Sequence, residues 1–312
     1  MEPVEPVERV PFGDTGLMVS RLGLGCGGLG EARVGELDAE RLVLGALDLG
    51  VTFFDAARSY GLAEERLGRI LGSRRHDVVL STKGGYGATD AADWTPAAIT
   101  RGIDEACARL RTDRIDVFHL HSCPVDVLRR EGLLDALGRA RDAGKIRVAA
   151  YSGDNEGLAW AVDAALDDPR EAAARDSRAF ASVQCSVNLF DQHALRTSVP
   201  RAADRRMGVV AKRPLGNAPW RFAERPAGQD AELTWERMHT LGLVPAPLGW
   251  AEMALRFAAF APGVACAVVG TTSLAHLRQA AAHVAAGALA EAVTARIAAR
   301  FAAVGSDWPG RV

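Results

Sequence analysis

The chain has 312 residues, 48% of them hydrophobic and 24% charged, with a formal net charge of −2. That length suits one α/β barrel domain with a large core, and near-neutral charge with scattered basic residues excludes the footprint of a nucleic-acid or anionic-membrane binder. Five cysteines at wide spacings, with no CxxC, exclude a disulfide framework and a cysteine zinc site.

The acidic start MEPVEPVERV lacks the basic-then-apolar pattern of a signal peptide. No uninterrupted apolar stretch of about 18 residues marks a transmembrane helix. A cytoplasmic protein without a membrane or nucleic-acid partner is expected. Residues 1–9 read as a flexible extension of a single domain spanning 1–312, and Arg74-Arg75 and Arg129-Arg130 as solvated helix ends.

In chain order, Leu22–Leu24 is a short apolar run, and Leu37–Leu49 repeats apolar residues at helical spacing until Gly50 stops it. Val51–Phe54 reads as a strand, Ala63–Leu71 as a helix closed by Gly72, and Val78–Leu80 as a strand. Thr95 is a good N-cap with Pro96 in the first helical position, opening a helix to Leu110. Strand Ile115–Leu120 precedes a helix over Val125–Ala143, then strand Ile146–Tyr151 and helix Gly157–Leu166. Strand Ala181–Cys185, a helix near His193–Arg205 and strand Met207–Ala211 follow. Positions 213–247 read as a long irregular connection, and a loop of that length in a compact domain is usually functional. Helix Trp250–Phe260, strand Val264–Val269 and two helices complete the chain.

Eight strands alternating with helices imply parallel pairing through right-handed crossovers. In this length they favour a closed (β/α)8 TIM barrel over an open doubly wound sheet. The glycine-rich string 23–30 (GLGCGGLG) is not followed by a helix, as a dinucleotide fingerprint requires.

Barrel active sites lie at the C-terminal strand ends. The polar residues there are Asp55, Lys83, His121, Ser152, Gln184 and Lys212-Arg213, with Tyr60 just beyond Asp55. Asp55, Tyr60, Lys83 and His121 make a plausible proton-transfer set. A phenol is a poor acid at neutral pH; a nearby lysine lowers its pKa, and an aspartate holds that lysine charged. An imidazole can hydrogen-bond a carbonyl oxygen and position it. No metal is required. A metal-dependent barrel hydrolase would need clustered His and carboxylate ligands, and only His121 and Asp55 qualify.

The sequence resembles the aldo-keto reductase superfamily along nearly its whole length. FFDAARSYGLAEERLGRIL (53–71) resembles the signature around the family's catalytic Asp and Tyr, VVLSTKGG (78–85) its lysine strand, and RIDVFHLHSC (114–123) its histidine strand. This resemblance assigns the catalytic histidine to His121. GKIRVAAYS (144–152) and VQCSVNLFD (183–191) resemble the segments carrying the nicotinamide-carboxamide contacts, here Ser152 and Gln184. VPFGDTGLMVSRLGLG (10–25) resembles the hairpin that plugs the barrel bottom.

The resemblance implies a (β/α)8 barrel with an N-terminal β-hairpin and an extra C-terminal helix. It implies reduction of an aldehyde or ketone by hydride from an extended nicotinamide cofactor, NADP(H) with NAD(H) as the alternative. AKRPLG (211–216) would cover nicotinamide and pyrophosphate through Lys212, Arg213, Pro214, Leu215 and Gly216. Gly270, Thr272, His276 and Gln279 would hold the 2′-phosphate, and Cys26, Gly27 and Asp55 would also border the cofactor. Departures from the family pattern are Lys212 in place of a frequent aromatic residue, Gly153 in place of a frequent Asn, and no Lys or Arg in the 2′-phosphate segment apart from Arg278.

Each of these residues has a structural reading as well. His119 reads as a core histidine that strand alternation points away from His121. Cys26 and Cys123 read as small packing residues. Trp94, Trp220 and Trp235 either wall a substrate pocket or pack the rim. A redox-sensing NADPH-binding regulatory subunit of the same fold is the alternative function.

Overall fold

A computed structural model describes residues 5–130, 132–164 and 179–311. Two short strands, β1 (Arg9–Pro11) and β2 (Met18–Ser20), form an antiparallel hairpin. Eight more follow: β3 (Leu22–Gly25), β4 (Phe53–Asp55), β5 (Val79–Gly84), β6 (Ile115–His121), β7 (Ile146–Ser152), β8 (Ser182–Ser186), β9 (Gly208–Lys212) and β10 (Cys266–Gly270). They pair in parallel in sequence order, and β10 closes onto β3, giving the barrel expected from the strand–helix alternation. Their runs of Val, Ile, Leu and Phe are buried on both faces, as strands covered by helices outside and by each other inside must be.

Alternate residues of each strand point into the barrel, and their chemistry changes along the axis. The lower interior is apolar, built from Phe53, Val79, Val117, Val148, Val210 and Cys266. The upper interior carries Asp55, Lys83, His121, Ser152, Gln184 and Lys212, each at or near its strand's C-terminal end. The hairpin seals the bottom. Phe12 is fully buried with its ring 6.0 Å from that of Phe53, and a Cβ on Gly208 would meet the Phe12 ring at 2.6 Å.

Several expectations are corrected. Within the extension read over 1–9, Val7 is buried and its N–H donates to Leu49 O, Arg9 opens β1, and 1–4 lie outside the described residues. The helix read over Val125–Ala143 is two, Val125–Leu128 and Leu133–Asp142, divided where Gly132 takes φ +86°. The helix near His193–Arg205 is likewise two, His193–Arg196 and Ser198–Asp204. The connection 213–247 contains a helix, Glu232–Leu241. Arg75 is mostly buried and pairs with Asp116 at 2.9 Å instead of being solvated. Of the helix read over Gly157–Leu166, the structure has Asn155–Ala164, and 165–166 lie outside the described residues.

Two long helices, Leu274–Ala285 and the extra Glu291–Val304, end the barrel. The tail then crosses back over the long connection. Arg237, buried, donates to Pro309 O at 2.7 Å, and Arg311 N–H donates to Asp191 Oδ2 at 2.8 Å. Among the described residues no helix is long and apolar enough to cross a membrane.

Candidate active site

The strand ladder sets Asp55 beside Ser81, and Lys83 follows two residues later on the same face. Lys83 Nζ donates to Asp55 Oδ2 at 2.6 Å and to Ala56 O at 2.7 Å. Ser81 Oγ donates to the other carboxylate oxygen at 2.8 Å. Both charged groups are buried. Burial opposes their charges, but mutual attraction prevails, so Asp55 is held below the usual carboxylate range and Lys83 above the usual lysine range.

Tyr60 lies in the turn between β4 and helix Ala63–Leu71, where its N–H donates to Ala57 O at 3.0 Å. The Lys83 ammonium stands 4.9 Å from the Tyr60 ring centroid, and the His121 ring meets Tyr60 edge-on at 6.1 Å. Lysine was expected to bring the phenol's pKa down. In the structure burial outweighs the ammonium, and the Tyr60 pKa stands above its ordinary value. Burial, reinforced by Lys83, pushes His121 down to about 4, so its imidazole is neutral near pH 7.

His119 does not point away from His121. Residues two apart on a strand share a face, so His119 points inward beneath His121. Its Nε2 lies 3.1 Å from Ser81 Oγ, the hydroxyl that holds Asp55. Burial lowers its pKa to about 3. His119 is a support below the upper layer, on the same face of β6 as His121.

Tyr86, just beyond the lysine-strand segment 78–85, also reaches the site. It lies in the loop after Lys83, with its hydroxyl 2.8 Å from His121 Nδ1 and 3.1 Å from Ser59 Oγ. The available signal was an aromatic residue inside the glycine-rich string Gly84-Gly85-Tyr86-Gly87, directly after a strand-end lysine. Of the three loop tryptophans, Trp94 packs on Tyr86 at 5.6 Å. Trp220 instead stacks on Trp250, and Trp235 donates to Phe222 O, both within the packing of the long connection.

A cavity of about 310 Å³ opens above this layer, lined by Gly27, Asp55, Tyr60, His121, Ser122, Ser152, Gln184, Lys212, Arg213 and Gly270 among others. Ser152 Oγ donates to Gln184 Oε1 at 2.9 Å, while the buried Gln184 Nε2 has no protein partner. Burial and the neighbouring Arg213 lower the Lys212 pKa to about 8. Asn188 Nδ2 donates to Arg213 O and anchors the loop after β9. Several cofactor candidates stand away from this wall. Cys26 is buried with its thiol on Leu24 O and its pKa driven up by burial. Pro214 is buried, Leu215 packs into the core, and Gly216 O accepts from Thr234. A Cβ on Gly28 would meet the Thr272 methyl at 2.9 Å, and His276 and Gln279 are exposed on helix Leu274–Ala285. A second cavity, about 350 Å³, lies at the hairpin end and none of the strand-end residues lines it.

Residues 21–300 match the aldo/keto reductase family. The chain is 26% identical over 289 residues to an uncharacterized oxidoreductase, YqkF, of Bacillus subtilis, covering 86% of this chain and 88% of that one. It is 29% identical over 290 residues to a protein named as a probable voltage-gated potassium channel subunit beta of Oryza sativa subsp. japonica, covering 84% and 86%. An aldo-keto reductase of Bacillus halodurans shares the fold with a TM-score of 0.79 at 23% identity, covering 94% of this chain and 96% of that one. Members of the family use nicotinamide cofactors. A carboxamide fits the cavity's chemistry, because the Gln184 amide and the Ser152 hydroxyl present donor and acceptor side by side with one donor unmatched. With its eight-stranded barrel, its plugging hairpin and its polar upper layer, the chain belongs to the aldo/keto reductase family of oxidoreductases.

Proposed function

We propose that the protein reduces an aldehyde or ketone to an alcohol, or runs the reverse oxidation, with NADP(H) as cofactor. The observation that carries this reading is the buried Asp55–Lys83 pair at 2.6 Å set against the Tyr60 ring, with His121 edge-on beside it. A bound nicotinamide supplies the hydride. Tyr60 holds its proton until negative charge develops on the substrate oxygen, then donates it. Lys83 stabilises the resulting phenolate, and Asp55 keeps Lys83 charged and in place. Neutral His121 hydrogen-bonds the carbonyl oxygen. Ser152 and Gln184 would hold the carboxamide, Gly27 would border the ring, and Lys212 and Arg213 would meet phosphate charge. Thr272, His276 and Gln279 would line the 2′-phosphate end.

The test is steady-state oxidation of NADPH and of NADH against a panel of aldehydes and ketones, with Tyr60→Phe alongside. Turnover should fall by at least about a hundredfold in the variant. Wild-type turnover in Tyr60→Phe would remove the mechanism, and a preference for NADH would move the cofactor assignment. Similarity to the rice channel subunit favours a second reading, a cofactor-binding regulatory subunit. Slow turnover with tightly retained cofactor and a co-purifying partner would select it.

A further inference from the structure

Tyr86 is held from several sides. Its loop leaves β5 through Gly84 and Gly85, and a Cβ on Gly85 would stand 2.3 Å from the Trp94 ring. Trp94 N–H donates to Gly85 O at 2.7 Å while its indole packs against the Tyr86 ring. On the far side, Gly87 N–H donates to Asp93 Oδ1 at 2.8 Å, and Arg58 Nε donates to Gly87 O. So braced, the Tyr86 ring lies 5.8 Å from that of His121 with its hydroxyl on Nδ1.

We propose that Tyr86 is a positioning residue that acts through His121: its O–H donates to Nδ1, fixes the imidazole hydrogen on Nε2, and so presents an N–H donor to the cavity. A neutral imidazole has one donor and one acceptor nitrogen, and the bond made by one nitrogen decides the state of the other. Nδ1 is taken by Tyr86, which leaves Nε2 for the cavity that His121 lines. The exposed Ser59 hydroxyl, 3.1 Å from the Tyr86 oxygen, completes a chain with one useful direction. In the proposed direction Tyr86 O–H donates to Nδ1, Nε2–H donates to a carbonyl oxygen, and the Ser59 hydroxyl turns to donate to Tyr86 instead of accepting from it. The opposite direction would turn the Nε2 lone pair against the carbonyl lone pairs. The depressed His121 pKa keeps the ring in the neutral state where this choice exists.

This inference rests on the carbonyl-reductase reading, and its test separates the two. Nitrogen-15 NMR of histidine-labelled wild type near neutral pH, with His121→Asn for assignment, reads the tautomer directly. The Nε2–H form is expected; an Nδ1–H form overturns the proposal whatever the variants do. In Tyr86→Phe the His121 signals should move toward a tautomer mixture. Its kcat should fall roughly tenfold while KM for the cofactor holds. The double variant Tyr86→Phe/His121→Asn should be no slower than His121→Asn alone. Wild-type kcat in Tyr86→Phe, a loss with an unmoved His121 spectrum, or additive losses would each overturn it. Absent carbonyl reduction in wild type would sink the functional reading, and the tautomer measurement would still judge this one.

Discussion

A Cβ at Gly30 would stand 1.6 Å from the carbonyl oxygen of Tyr60. Backbone is pressed on backbone here: Leu62 N–H donates to Gly30 O, and Gly61 turns with φ +51° over the same carbonyl. Arg66 ties the contact down from below, its buried guanidinium donating to the carbonyls of Leu29, Glu31 and Val34. The loop after β3 is therefore the backstop of the Tyr60 turn. Gly30→Ala should destabilise the fold by at least about 3 kcal/mol, because no flexible atom can yield. Turnover should fall more than the melting temperature alone explains, as the Tyr60 turn is displaced. Urea unfolding and kcat measured on the same sample check both.

Removing one partner of the Asp55–Lys83 pair leaves a buried charge unmatched. Lys83→Met should cost about 3–5 kcal/mol and abolish turnover. Asp55→Asn/Lys83→Met should recover much of that stability and none of the turnover. Denaturant midpoints for the two variants test this. Equal stability of the single and double variants would contradict the pairing argument.

Stability should fall on acidification through His121. Its folded pKa of about 4 lies below the ordinary value of 6.5, so between those values the unfolded chain binds more protons. The contribution is complete above about pH 6.5 and is lost as pH falls toward 4, on the order of 3 kcal/mol. His119, depressed to about 3 by burial, acts in the same direction and extends the window downward. Unfolding free energies at about pH 7.5 and about pH 5 should differ less in His121→Asn than in wild type.

The barrel was legible because each strand is a short apolar run between helical stretches, and the upper layer because a polar residue closes most of those runs. Other features were hidden for definite reasons. Helix Glu232–Leu241 sits between glycine- and proline-containing turns, and its buried positions, Thr234, Arg237 and Leu241, include only one apolar residue. Apolar residues recur on both sides of Arg129–Gly132 across 125–143, and the left-handed turn at Gly132 divides the two helices. A spacing of two along β6 returns to the same face, so the strand period sets His119 with His121 and not opposite it. Tyr86 reaches His121 from a loop 35 positions away in sequence, and no periodicity encodes that contact. The direction of the Tyr60 shift depends on how deeply the phenol is covered, which residue order does not carry.

The hairpin and the layered interior have a further consequence. Phe12, Phe53, Val79, Val117 and Val148 hold the lower half together and line none of the upper cavity, which that packed cluster reaches through Val268. The loops at 86–94 and 213–247 border the other end and carry little of that lower packing. Foundation and workshop are thus two storeys of one building, joined at Val268. Changes to the upper loops can redirect what the barrel accepts, while drift in the lower packing is judged on folding alone. A lineage can therefore explore new substrates without renegotiating its own integrity at each step.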